Sequence, residues 1–193
     1  MKNKQVAGTQ KPMTTDALAA WRQQLRPAAV GLMLAVLTLL YGQGLGIVFG
    51  INEDRVKQRL KTSAETVRDT AYKGDEAAIK AVLDKSWAYM KRAHLHAGGL
   101  GTTAIALILL LPMVGASAWI TRIVSLALGA GGLGYSIYWM WAGFRAPGMG
   151  STGAAKESLD WLALPSSIAF VLATIWMLIL LAVAWRTGNS AQS

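Results

Sequence analysis

Met90, His94 and His96, within the stretch MKRAHLHAGGLGT at 90–102, are the residues best equipped for chemistry in this chain. A neutral imidazole is a common metal ligand, and a thioether opposite it suits haem iron or copper. Spacing limits what the three can do together. On a helix His94 and His96 point about 200° apart, whereas Met90 and His94, four residues apart, share a face. A single imidazole, completed by Met90 or by another subunit, would make a haem b axial site or a His/Met copper site. Two histidines in the whole chain are too few for a bis-histidine di-haem bundle. The absence of cysteine removes thiolate metal sites, iron–sulfur clusters and disulfides within the chain. The preferred expectation is plainer: both histidines are polar residues at a membrane boundary, bonded to headgroups or a neighbouring helix. No cofactor is then expected, with haem b or copper as the alternative and pH sensing as a third use.

A second candidate is the run from Gly148 to Gly153, which spells GxGxxG. No strand precedes it, and Ala-Ala-Lys follows Gly153 where a Walker loop needs Lys-Ser/Thr, so neither a dinucleotide site nor a P-loop is expected. Arg145, Gly150, Gly153 and Lys156 remain as a candidate anion or lipid-headgroup site, set against the default of a flexible interfacial loop.

The elements that carry these residues follow from the distribution of charge. Four stretches, 27–51, 97–121, 123–144 and 161–185, contain no Asp, Glu, Lys or Arg. Each is long enough to cross a hydrocarbon core of roughly 30 Å as a helix. None alternates as a barrel strand does, so the expected fold is an all-α integral membrane protein with four transmembrane helices. Residues 1–26 read as a basic polar tail with an interfacial helix from about Thr15, and the first span as retained rather than cleaved. Residues 186–193 read as a short tail, and 145–160 as a Gly-rich loop with a short interfacial helix.

Between the first two spans, residues 52–96 read as a protruding helical hairpin. Apolar positions recur at helical spacing on both sides of Lys73-Gly74-Asp75, where Gly74 suits the residue after a helix and Asp75 the next N-cap. The arms are symmetric, 22 residues each, and Gly50 and Gly98-Gly99 are the candidate hinges. Pro112 should kink span two, and a tight turn at Arg122 should join it to span three.

Small residues mark packing faces: Gly42, Gly46 and Gly50 on span one, Gly98 and Gly101 on span two, and Ser125, Gly129, Gly132 and Ser136 on span three. Gln43 is the one strongly polar side chain within span one, and an interhelical hydrogen bond is its expected use. The pentapeptide AGGLG occurs at both 97–101 and 130–134, but in unmatched contexts, and is read as chance.

A net charge of +9 does not point to nucleic acid, because the bases lie in the tail and beside the spans, where a membrane surface explains them. Twelve Lys and Arg fall on the side of 52–96 and 145–160 and seven on the other, which by the positive-inside rule favours a cytoplasmic hairpin. The hairpin also carries seven acids, however, while the N-tail is strongly basic. The preferred topology is therefore both termini cytoplasmic and the hairpin on the outer face, in a bacterial cytoplasmic (inner) membrane. Charge-free spans argue against proton-coupled transport, and no histidine within a span is expected to activate a serine. The expected function is a non-enzymatic structural, accessory or assembly subunit, forming a homo-oligomer or part of a larger membrane complex. A membrane redox subunit using His94, Met90 and His96 is the alternative, and a sensor acting through a partner is the third.

Overall fold

The computed structural model describes residues 15–190; the first fourteen residues of the expected polar tail, and the last three of the chain, lie outside them. The structure is 88% helix, with no strand among the described residues. Helix α1 (Thr15–Leu25) begins where the interfacial helix is expected, and leads through a 3-10 turn at Arg26–Ala28 into α2 (Ala29–Glu65). Then come α3 (Glu76–Leu110), α4 (Ala118–Met149), the short α5 (Thr152–Glu157) and α6 (Asp160–Ser190). Among the described residues four helices are long and apolar enough to cross a membrane: Ala17–Glu65, Glu76–Leu110, Ala118–Met149 and Asp160–Arg186.

Three boundaries differ from the expected ones. The second apolar helix does not run on, kinked, to residue 121. It stops at Leu110, and residues 111–117 form a turn in which Gly115 takes φ +65°. Pro112 lacks the N–H that would continue the helix, and the Ser117 hydroxyl accepts the Ile120 N–H to start the next one. Arg122 therefore lies inside α4 rather than in the turn.

At the hairpin, Asp75 is the N-cap of α3, accepting from Ala77 N and Ala78 N, but the arms are unequal. Helix α2 ends at Glu65, and the chain returns through turns at 66–74, with Lys73 and Gly74 both at positive φ. Arg68 bridges this bend by an ion pair to Glu76. The break in α2 comes at Asn52 (φ −124°, ψ 24°), two residues beyond Gly50, and α3 is continuous through Gly98-Gly99.

Residues 145–149 are not loop. Helix α4 continues to Met149 with Ala146 and Pro147 buried, and ends in the left-handed Gly150 (φ +63°). This extension makes the hairpin part of a larger bundle. Met140, Ala142 and Leu159 join Leu60, Tyr89, Met90 and Ala93 in one core. The Tyr72 hydroxyl donates to Pro147 O at 2.8 Å, tying the bend of the hairpin to the end of α4.

Tyr72→Phe is expected to cost about 1 kcal/mol, seen as a fall in the thermal midpoint of a few degrees. Burial holds the Tyr72 phenol above its ordinary pKa of 10.0, so the neutral form is the one the fold prefers. The contribution is therefore complete below pH 10 and fades as pH rises through the folded value, and the wild-type and Phe chains should converge in stability there.

Candidate functional site

The small-residue rows decide how the helices meet. Gly31 of α2 lies so close to α4 that a Cβ on it would stand 2.2 Å from the Ser125 carbonyl carbon, and one on Gly129 would stand 2.4 Å from Gly31 O. Further along α2, Gly42 faces Ala97 and the Gly98 backbone, and Gly101 of α3 faces Ala35 and Leu39. On α4, Gly131 and Gly134 admit Ser166 and Phe170 of α6, Gly132 lies between Leu100 and Phe170, and the buried Ser136 returns its hydroxyl to Gly132 O at 2.7 Å. The expected faces are thus spent on contacts within one chain. Gly50 and Gly98 are the exceptions: a Cβ at either would meet nothing within 4 Å, and Gly44 and Gly99 are equally open.

His94 is set into this packing. Its Nδ1 lies 2.7 Å from Gly42 O across the α2–α3 interface. A carbonyl only accepts, so Nδ1 carries the proton. The ring occupies the space beside Gly46, where a Cβ would come within 2.8 Å of Cε1. Gly42 and Gly46 thus form a socket for one imidazole, the first by its carbonyl and the second by its lack of a side chain. Nε2 is the nitrogen left for any further ligand.

The other two candidates turn to α4. Met90, fully buried, packs its Cγ against Gly143, where a Cβ would approach to 2.7 Å. The shared helical face of Met90 and His94 is therefore split between two neighbouring helices. His96 meets an aromatic cluster, with its ring centroid 5.2 Å from Tyr135 and 6.2 Å from Trp139. Tyr138 and Tyr89 pack edge-on against the same indole, and the Arg92 guanidinium lies 4.3 Å from its centroid. The indole Nε1 is buried without a hydrogen-bond partner among the described residues. Sequence spacing alone does not reveal this cluster, although Arg92 and His96, four apart on α3, and Tyr135 and Trp139, four apart on α4, are its trace.

The candidate anion residues do not form a cradle. Arg145 is exposed on the continuing α4, and Gly150 is its left-handed cap, packed against Ala71. The Ser151 hydroxyl takes the Ala154 N–H that an anion would need, at 3.2 Å, and Gly153 and Lys156 lie in the two-turn α5 behind it.

Thr102 and Thr103 on α3 and Gln43 on α2 are polar side chains that face outward. Gln43 is exposed on α2, and among the described residues its amide has no hydrogen-bond partner. Its neighbours on that face, Leu40 and Ile47, are more than half exposed. Compared with family models, curated proteins and solved structures, the chain matches none.

Proposed function

We propose that the chain is an integral membrane protein of four spans that acts as a non-enzymatic structural or accessory subunit. The observation that carries the reading is the pattern of exposed tryptophans around exposed aliphatic faces. Trp119 and Trp185 stand near one level of α4 and α6, Trp141 and Trp161 near the other, and Leu172, Trp176 and Leu178 are exposed between them. Two interfacial aromatic levels about 30 Å apart are what a bilayer selects.

On this reading the spans are about 20 residues each, and because α3 ends at Leu110 its span begins near Lys91-Arg92, which leaves His94 and His96 within about two turns of the bilayer edge. The hairpin, the end of α4 and α5 form a rigid headpiece outside it. With the termini cytoplasmic in a bacterial inner membrane, the headpiece stands on the outer face and offers a fixed surface to a partner. Alkaline extraction followed by native mass spectrometry under mild detergent tests the reading. The chain should stay in the membrane pellet and emerge bound to other subunits; release by alkali, or a lone monomer, would refute it.

A second reading has one observation in its favour. A metal-ligating histidine commonly donates its other ring N–H to a backbone carbonyl, as His94 does to Gly42. Haem b or copper would then bind at His94 Nε2, completed from outside the chain. Protein purified with its native partners would show a Soret band or bound copper that His94→Ala removes; colourless, metal-free protein would dismiss this alternative.

A further inference from the structure

The inner and outer faces of α2 carry the same kind of pattern. The inner face packs against α3 and α4 through Gly31, Ala35, Thr38, Gly42 and Phe49, all buried. The outer face presents Met33, Val36, Leu40, Gln43, Ile47 and Gly50, all exposed, at alternating steps of three and four residues. That spacing is the seam of a left-handed helix pair, and a polar residue at one seam position fixes register and partner number.

Resting on the membrane reading above, we propose that this face pairs with the same face of a second copy of the chain, the two Gln43 amides hydrogen-bonding across a two-fold axis. The amide identifies the occupant. Gln43 lies within the bilayer, and the Cα–Cβ bonds of α2 tilt towards its N-terminus, so the side chain leans away from the nearer surface. Lipid tails offer it no hydrogen bond. A primary amide both donates and accepts, so the group most complementary to it about a two-fold axis is another Gln43. Gly50, with nothing within 4 Å of a Cβ position, lets the two backbones converge at the end of the seam. Gly31, Gly42, Gly46, Gly101 and Gly129, which would otherwise compete as dimer faces, are already used inside the chain.

The absence of cysteine makes the test direct. Leu40→Cys and Ile47→Cys, oxidised in native membranes, should give a disulfide-linked species of twice the monomer mass. Ile168→Cys and Leu178→Cys, exposed on α6 and away from the seam, should give a tenth as much or less. Gln43→Leu should weaken association about three- to fifteenfold. Equal yields at all four positions, an adduct of any mass other than twice the monomer, or an unchanged dimer fraction in Gln43→Leu would overturn the pairing. A chain that stays in the membrane bound only to unlike subunits would overturn the pairing while leaving the proposed function intact, whereas release of the chain by alkali would remove both.

Discussion

Gly31→Leu is expected to lower the midpoint of thermal unfolding in detergent by roughly 2 to 12 °C, while Gly44→Leu leaves it unchanged or slightly higher. The two glycines share a helix and differ in what faces them. At Gly31 a Cβ would meet the Ser125 backbone at 2.2 and 2.3 Å, and backbone cannot move aside as a flexible side chain can. Overpacking of this kind costs about 1–3 kcal/mol or more, and a degree of midpoint corresponds to a few tenths of a kcal/mol in a chain of this size. Gly44 meets nothing within 4 Å, so replacing it removes only the helix penalty of glycine. Equal effects at the two positions would mean that α2 does not approach α4 as described.

Gly150→Ala is the second large effect, a loss of about 2–4 kcal/mol, with Gly74→Ala costing about half as much. Both glycines are left-handed, at φ +63° and +74°, where an alanine is strained by about 1–2 kcal/mol. Gly150 carries an additional cost because its Cβ would come within 2.6 Å of Ala71 Cβ, whereas Gly74 has open space around it. The difference between the two variants, read from denaturation midpoints, isolates the contact between the end of α4 and the bend of the hairpin. If Gly150→Ala were the milder variant, the hairpin would not be docked on α4.

The elements were more legible than their partners. Runs without charge announce long apolar helices, and Lys73-Gly74-Asp75 announces a bend, because both are local properties. The end of α3 was also written locally, in Pro112, Gly115 and Ser117, but hydropathy continues across it and masked the stop. The reverse happened at Arg145–Gly150. Pro147 and the glycines suggest a loop, yet burial of Ala146 and Pro147 against the hairpin keeps the chain helical until Gly150.

The histidines show the same divide. Their angular separation on α3 correctly gives them different surroundings, but not which ones. That Gly42 O lies opposite His94 depends on the register of α2 against α3, which no local pattern encodes. The glycine rows were readable as faces of close approach, and what the sequence withheld was that the chain itself fills nearly all of them. The face bearing Gln43 remains open and carries an amide without a partner among the described residues, and this is why the account places association there.

The most direct test of the four-span topology is the accessibility of single cysteines to a membrane-impermeant maleimide. Met113 lies in the turn at 111–117 and is 75% exposed, and Glu76 begins the return arm of the hairpin. The account predicts that Glu76→Cys and Met113→Cys react from opposite sides of the membrane, while Leu178→Cys, on the outward face of α6, reacts from neither. Labelling of Glu76→Cys and Met113→Cys from the same side, or free labelling of Leu178→Cys, would contradict it.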